Sequence, residues 1–366
     1  MKPFNEAFDI NKFHCHPRIA KEQQPFNAAD SYLYTYLVEN DILFEGAKVA
    51  ILNDETGILS YLLRDYSPTS ISDSFFAKTA LEENFKSSGA DSSSLTFVDS
   101  IAFTTLETTF DIVLMKVPKS LRYFTEQLGI LRGLMHDTSV LVTSAMVKHL
   151  SKNCREVLTT QIGETNIHRV VKKAILFDST KSVTKAQPKL ISRFTLPQYG
   201  TFQSYSNTFS VGKLDRGTAL LLENLPKDIE GTVVDLGCGY GIIAKELLAR
   251  YPGLDLYGVD ASRMAVESTK LNVEGCKVIW GDGLSFFDDG AIDYVITNPP
   301  FHHDNHFSVK MGIRLFKQVH RKLKEGGTCI MVANSGLNYG PFLKGLFYRT
   351  KAIGRNNNYT VFLLTK

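Results

Sequence analysis

The sequence predicts an α/β protein built from two tandem, doubly wound, Rossmann-like halves. Three observations carry this expectation. A strand, a glycine turn and a helix follow one another from Thr232 to Arg250; short apolar runs alternate with helical segments along the whole chain; and the first half approximately repeats the second. A chain of 366 residues supplies two cores, and 43% hydrophobic with 22% charged residues is an ordinary globular composition.

Thr232 to Leu236 is an apolar run of strand type, and Gly237, Gly239 and Gly241 sit where the chain must turn sharply into the helical segment Ile242 to Arg250. Such a unit is expected to leave backbone N–H groups bare at the carboxyl edge of a parallel sheet, where open α/β folds bind ligands. Dinucleotide sites use G-x-G-x-x-G, whereas the spacing here is G-x-G-x-G. Asp235 precedes the turn and suits a cationic ammonium better than a pyrophosphate. Leu254 to Val259 reads as a second strand ending at Asp260, whose carboxylate can accept both hydroxyls of a ribose. Val278 to Asp282 reads as a short strand ending in an acid able to receive an adenine amine. Each carboxylate alone is an ordinary strand-end residue; in this order, and followed by the element below, they point to S-adenosylmethionine.

That element is Asn298-Pro299-Pro300-Phe301-His302, which leaves the apolar strand Asp293 to Thr297 at the same carboxyl edge. The Asn298 side-chain carbonyl and the backbone carbonyl after it can both accept hydrogen bonds from one exocyclic amine. Such contacts aim the nitrogen lone pair at a sulfonium methyl, and orientation is most of what an in-line transfer requires. Pro299 and Pro300 stiffen the backbone, and Phe301 offers a face on which a planar base stacks. His302 and His303 either line the entrance or lie on the surface.

In the first half, Ser70 to Asn84 matches Tyr257 to Asn272, with Asp73 standing for Asp260 and Asn84 for Asn272, and Phe110 to Pro118 matches Ile292 to Pro300. Both halves continue with a helical segment and an apolar strand, Ser139 to Thr143 and Thr328 to Val332. The chemistry differs. The first half has Gly57 alone where the second has three glycines, with Asp54 and Glu55 filling the turn. It carries Lys116 at the position of Asn298, and an ammonium accepts no hydrogen bond. The first copy is therefore expected to bind no cofactor and to serve recognition or structure. Lys116, Lys119 and Arg122, with Lys172 and Lys173 on a final strand, are candidates for phosphate contacts, the alternative being a solvated surface.

The expected divisions are a degenerate domain over residues 1–180, a linker and hairpin over 181–205, and a catalytic domain over 206–366. From Asn27 the spacing of Tyr32, Leu33, Tyr36 and Leu37 predicts a helix, and Lys48 to Leu52 a buried strand. The arm before them carries Phe13-His14-Cys15-His16, but without a second ligand pair a packing role outweighs a metal site. Ser206 to Leu221 precedes the glycine-bearing copy, with Asp215 placed to cap a helix. It either closes one side of the cofactor pocket or is simply a capped packing helix.

Asp235 to Gly241 together with Asn298 to Phe301 resembles the class I methyltransferases that modify planar nitrogens. The pairing of a degenerate copy with an active one resembles the bacterial ribosomal RNA guanine-N2 methyltransferases. Ala28 to Leu33, Ile51 to Asp54 with Gly57, Ser72-Asp73-Ser74, and Lys116 to Lys119 followed by Glu126-Gln127-Leu128 are most similar to the large-subunit (23S) family. In the second half Phe209-Ser210, Leu214-Asp215 with Gly217, and Val332-Ala333-Asn334 with Leu337 and Tyr339 look like the same family. The resemblance implies that Asp235, Gly237, Asp260 and Asp282 bind S-adenosylmethionine, that Asn298 holds the guanine amine, and that Phe301 stacks. The segment from Ser179 to Tyr199 and His303-Asp304-Asn305 depart from the family pattern.

Other readings are the same chemistry on 16S rRNA, on adenine N6 or on a protein glutamine; an RNA-binding assembly factor without catalysis; and a dinucleotide oxidoreductase, which lacks the expected spacing. Forty-one Lys and Arg against thirty-eight Asp and Glu give a formal charge of +3, so nucleic acid must be held by a local patch. Five scattered cysteines without C-x-x-C spacing argue against a disulfide framework or a zinc site. No stretch approaches eighteen apolar residues. The expectation is a cytoplasmic monomer that holds no metal and contacts no membrane.

Overall fold

The structure, a computed structural model, describes residues 2–19, 23–91, 93, 95–299, 306–335 and 340–366, the side chains of 306–309 excepted. The chain divides into two compact units, Met1–Leu190 and Ile191–Lys366.

Unit 1 runs α1 (Ala28–Glu39), β1 (Val49–Leu52), α2 (Ile58–Leu62), β2 (Thr69–Ser72), α3 (Phe75–Ser88), β3 (Thr96–Asp99), β4 (Phe110–Lys116), α4 (Leu121–Gly133), β5 (Met135–Met146), α5 (Cys154–Gln161), β6 (Thr165–Ile167) and β7 (Ala174–Thr180). Its strands are ordered β3-β2-β1-β4-β5-β7-β6, with β1 parallel to both β2 and β4, and β7 antiparallel to β5 and β6. Unit 2 opens with a hairpin, β8 (Ile191–Leu196) and β9 (Gly200–Tyr205). It continues α6 (Arg216–Glu223), β10 (Thr232–Leu236), α7 (Ile242–Arg250), β11 (Asp255–Asp260), α8 (Arg263–Asn272), β12 (Lys277–Trp280), β13 (Ile292–Thr297), α9 (His306–Lys322), β14 (Leu323–Asn334), α10 (Gly340–Leu346), β15 (Arg349–Arg355) and β16 (Tyr359–Thr365). Its order, β12-β11-β10-β13-β14-β16-β15, is the same arrangement. The fold is thus two doubly wound α/β units, as the sequence predicts.

The central strands are apolar throughout because both faces of each sheet are covered. In β1, Ala50 and Leu52 enter one core with Phe124 and Leu128, while Val49 and Ile51 enter the other with Leu33 and Leu37. In β10, Val233 joins the Leu221, Leu247 and Phe202 side, and Val234 and Leu236 join the Phe316 and Val319 side. This alternation is the pleat itself, successive side chains pointing to opposite faces.

The repeat extends to individual hydrogen bonds. Asp111 Oδ2 accepts from Lys48 N at 2.7 Å, and Asp293 Oδ2 from Thr232 N at 2.8 Å. In unit 1 the Asn84 amide exchanges bonds of 3.0 and 2.8 Å with the backbone of His14 and donates to Thr56 O at 2.8 Å. In unit 2 Asn272 exchanges bonds of 2.8 and 2.7 Å with Gln203 and donates to Tyr240 O at 2.9 Å. Each asparagine ties an incoming segment to the turn after the first central strand. His14 is therefore explained by packing, and the hairpin expected as part of a linker packs onto unit 2, where Phe202 meets Tyr240 at 5.3 Å between ring centroids.

One assignment within the repeat is corrected. Leu52 pairs with Ile71 and Leu236 with Val259, so Ser72, not Asp73, stands at the place of Asp260. Ser72 Oγ accepts from Ser74 N at 3.2 Å as Asp260 Oδ1 accepts from Ser262 N at 2.9 Å. Asp73 is instead buried and receives the Ser100 hydroxyl at 2.6 Å.

Asn84 is fully buried, so Asn84→Ala removes its three hydrogen bonds without water to replace them. Equilibrium urea unfolding should register a loss of about 3 kcal/mol, at about 1 kcal/mol per bond.

Candidate functional site: the carboxyl edge of unit 2

β10 pairs in parallel with both β11 and β13, so the chain leaves its carboxyl end at the point where the strand order reverses. Gly237 has φ +81°, and a Cβ placed there would meet nothing within 4 Å, which keeps open space directly over the turn. Gly241 has φ +85° and serves packing, since a Cβ would come within 2.7 Å of Val273 Cγ2.

The expectation of bare N–H groups is corrected. Gly237 N and Cys238 N donate to Val259 O at 2.8 and 3.1 Å, Gly241 N donates to Cys238 O at 2.8 Å, and Gly239 N donates to Asp260 Oδ2 at 3.0 Å. With these donors committed, the turn offers room and carboxylates, not the nest of N–H groups that would hold a pyrophosphate. Asp260 Oδ2 accepts from Gly239 N and Oδ1 from Ser262 N, which aims the carboxylate along the edge of the turn.

Asp235 lies beneath the turn with no exposure; Oδ2 accepts from Ala244 N at 3.0 Å, while the buried Oδ1 has no partner among the described residues. Burial, with a smaller contribution from Asp260, pushes its carboxyl up to about 8, against the Ala244 bond that lowers it. A buried carboxyl beneath the turn, open space over Gly237 and a second carboxylate at the next strand end match a ligand that carries positive charge and hydroxyl groups. Asp282, two residues past β12, is not a bare carboxylate. Arg314 of α9 grips both its oxygens, Nη1 to Oδ1 at 2.8 Å and Nη2 to Oδ2, and its backbone carbonyl accepts from Gln318.

Asn298 follows β13 and is half-buried. Its Nδ2 donates to Asp215 Oδ2 at 2.9 Å and to Thr218 Oγ1 at 2.8 Å, both at the start of α6. Its Oδ1 has no partner among the described residues. Pro299 is buried; Pro300, Phe301, His302 and His303 lie outside the described residues. The segment leading into α6 lies against the turn, with Thr208 Cγ2 4.0 Å from a Cβ at Gly239 and the Tyr240 hydroxyl donating to Lys213 O at 3.4 Å. Asp215 caps α6 as expected, accepting from Thr218 N at 3.0 Å. Its second bond, across 83 residues to Asn298, has no signal in the sequence.

In unit 1 the same edge is filled. Asn53 and Glu55 stand in place of Gly237 and Gly239. Glu55 Oε2 lies 3.5 Å from Lys116 Nζ, which also meets Asp30 Oδ1 at 3.0 Å. Burial alone would lower the Lys116 pKa, but the charges of Asp30 and Glu55 outweigh it and raise it above the usual lysine value. Lys116 is thus an internal ion pair, and its assignment as a phosphate contact is withdrawn. Lys119, Arg122, Lys172 and Lys173 are exposed. Lys172 and Lys173 lie not on the strand but in the two-residue turn before β7, closed by reciprocal Val171 and Ala174 bonds of 2.9 and 2.8 Å. Both have positive φ, 46° and 67°, where Asn-Gly is the usual choice. Sequence reasoning missed Lys148 and His149. Burial, then Lys148 and Lys119, lower the His149 pKa, so Lys148 and Lys119 lie near this imidazole. Among the described residues no group of three or more His, Cys, Asp or Glu is gathered for a metal ion, and no helix is long and apolar enough to cross a membrane.

A doubly wound sheet with an open, acid-floored glycine turn beside an oriented strand-end asparagine defines an S-adenosylmethionine-dependent methyltransferase. Residues 199–363 match the family model described as methyltransferase small domain, and residues 1–183 the one described as RLMG N-terminal domain. The latter spans half of the chain, which belongs to the RLMG family, the ribosomal RNA guanine-N2 methyltransferases its motifs resemble. Among solved structures, the T. thermophilus 16S rRNA N2 G1207 methyltransferase (RsmC), in complex with AdoMet and guanosine, is 20% identical with TM-score 0.78, over 97% of this chain and 94% of that one. The ribosomal protein L11 methylase of Lactobacillus delbrueckii subsp. bulgaricus is 17% identical with TM-score 0.35, over 43% of this chain and 81% of that one. The first of these shares the whole two-unit fold.

Asp235 yields a pH test. The folded carboxyl keeps its proton up to about pH 8, whereas in the unfolded chain it loses it near the ordinary aspartate value of 3.8. The native state therefore binds more protons in that window, and its stability falls as pH rises through it. A cation bound over the turn favours the ionised form of Asp235. Calorimetric affinity for S-adenosylmethionine should accordingly rise between about pH 6 and 8, by up to about tenfold per unit, and Asp235→Asn should flatten the profile.

Proposed function

We propose that this protein transfers the methyl group of S-adenosylmethionine to the exocyclic N2 of a guanosine in 23S ribosomal RNA. The observation that carries the reading is Asn298, whose amide nitrogen is spent on α6 and whose oxygen is left to receive an amine. The RLMG N-terminal match over residues 1–183 supports the large subunit as the source of the substrate.

In this reading S-adenosylmethionine supplies an electrophilic methyl group on a sulfonium. Asp260 accepts the ribose hydroxyls, Gly237 and Gly239 leave the space, and Asp235 sets the charge beneath the turn. Gly241 keeps α7 against α8, and Asp282 closes the adenine end as an ion pair with Arg314. Asn298 Oδ1 and the carbonyl after it accept the two N2 hydrogens, so the nitrogen lone pair is turned toward the methyl group. We assign Pro299 and Pro300 to restraining those acceptors, Phe301 to stacking on the base and His302 to contact with RNA. Methylation of N2 releases one proton, which solvent takes up. A guanosine of 16S rRNA is the second reading, favoured by the whole-chain likeness to a methyltransferase of 16S rRNA. Mass-spectrometric mapping of N2-methylguanosine in both rRNAs, from cells with and without the gene, separates the two. Loss confined to 16S would replace the 23S assignment, and no loss in either would remove the rRNA reading.

Asn298→Ala should abolish methyl transfer with cofactor affinity nearly unchanged. Asp260→Ala should act in the reverse order, lowering affinity tenfold or more through two charge-assisted hydrogen bonds of about 1.5–3 kcal/mol each. Calorimetry beside a tritium-transfer assay checks both.

We assign unit 1, residues 1–180, to RNA recognition through Lys119, Arg122, Lys172 and Lys173. Their exposure supports this, since all four side chains stand open to a phosphate backbone. Replacing Lys119, Lys172 and Lys173 by Gln should reduce the log–log salt slope of binding to loop RNA by about two, at roughly 0.7 per phosphate contact. An unchanged slope would mark them as merely solvated.

A further inference from the structure

We propose that Asp215 is a positioning residue for methyl transfer: through its bond to Asn298 Nδ2 it dictates which end of the Asn298 amide meets the acceptor amine. The inference rests on the function proposed above. An asparagine amide is nearly symmetric in shape, and rotating it by half a turn exchanges an acceptor for a donor. A flipped Asn298 would point its own NH₂ at the NH₂ of the acceptor and hold no hydrogen bond to it.

Among the described residues, two groups accept from Nδ2. Thr218 Oγ1, at 2.8 Å, does not discriminate, because a hydroxyl donates as readily as it accepts. Asp215 Oδ2, at 2.9 Å, does, because an ionised carboxylate only accepts. A flip would set the Asn298 oxygen against that carboxylate. The same carboxylate oxygen accepts from Thr218 N at 3.0 Å, so the helix cap holds the carboxylate in place while the carboxylate holds the amide.

Unit 1 contains the same junction built differently. Asp30, three residues past its own cap Asn27, receives the strand-end Lys116 at 3.0 Å, as Thr218, three past Asp215, receives Asn298. In both copies the start of the helix before the first central strand thus engages the residue where the fourth strand ends. Only in unit 2 does the pairing leave an acceptor unspent.

Capping and positioning separate in two variants. Asp215→Ser keeps a good N-cap but is too short to reach Asn298, and Asp215→Asn keeps both the cap and an oxygen at the same place. With the full chain, kcat on rRNA should fall about tenfold or more in Asp215→Ser, one lost hydrogen bond to the acceptor, and stay within about threefold of wild type in Asp215→Asn. Titration of guanosine in the presence of S-adenosylhomocysteine should weaken in the same order. The urea midpoint and S-adenosylmethionine affinity should hold in both. Wild-type turnover by Asp215→Ser, equal losses in the two variants, or a loss that tracks the urea midpoint would overturn the proposal. Should the wild-type enzyme methylate another planar nitrogen instead, the guanine reading falls, and the same two variants on that acceptor still decide the role of Asp215.

Discussion

Parallel pairing of β10 on both sides is the constraint on which the site depends. β11 and β13 flank β10 in register, so the connections leave toward opposite faces of the sheet and their carboxyl ends splay apart. The glycine turn, Asp260 and Asn298 then stand at three adjacent strand ends along one sheet edge. Thr297 strengthens that edge by donating its hydroxyl to Leu236 O at 2.7 Å, bonding the end of β13 to the end of β10 immediately before Asn298. Little adjustment is left in the distance between turn and asparagine.

Duplication separates what the fold needs from what the chemistry needs. The asparagine ties, the aspartate that receives the backbone at the start of the first central strand, and the strand-end turn occur in both units with bond lengths within a few tenths of an ångström. These are scaffold. The open glycines, the unspent Asn298 oxygen and the carboxylate of Asp260 occur in unit 2, where unit 1 has Asn53, Glu55, Lys116 and Ser72. Charge now fills the space in unit 1: Asp54 is buried, accepts from Ser60 and Gly57, and has its carboxyl pushed up by burial to about 6.

Much of this is legible in the residues. Thr232–Leu236 and Ile242–Arg250 are element boundaries that apolar runs and a glycine stop give correctly, because those signals are local. The contact between Asn298 and α6 is not legible, since it joins residues far apart in sequence that share no pattern. Neither is the Arg314 grip on Asp282, which depends on the phase of α9 across the sheet edge. Asp73 misaligns for a related reason: matching by residue type selects an aspartate, whereas strand register follows hydrogen bonds and is indifferent to side-chain chemistry. Lys116 misleads because a basic residue at a ligand edge reads as exposed, and only the packing reveals Asp30 behind it.

The ion pair of Lys116 with Asp30 also bears on history. Their side chains are 12% and 2% exposed, and removing one partner of such a pair strands a buried charge at about 3–5 kcal/mol. Changing Lys116 alone to asparagine leaves the buried Asp30 without its cation, and changing Asp30 alone leaves the ammonium with only the longer contact to the exposed Glu55. Any route by which this copy acquires an amine-accepting asparagine at Lys116 must pass through a destabilised intermediate or alter both positions together. The contact therefore works as a ratchet that holds this edge of unit 1 in its filled form.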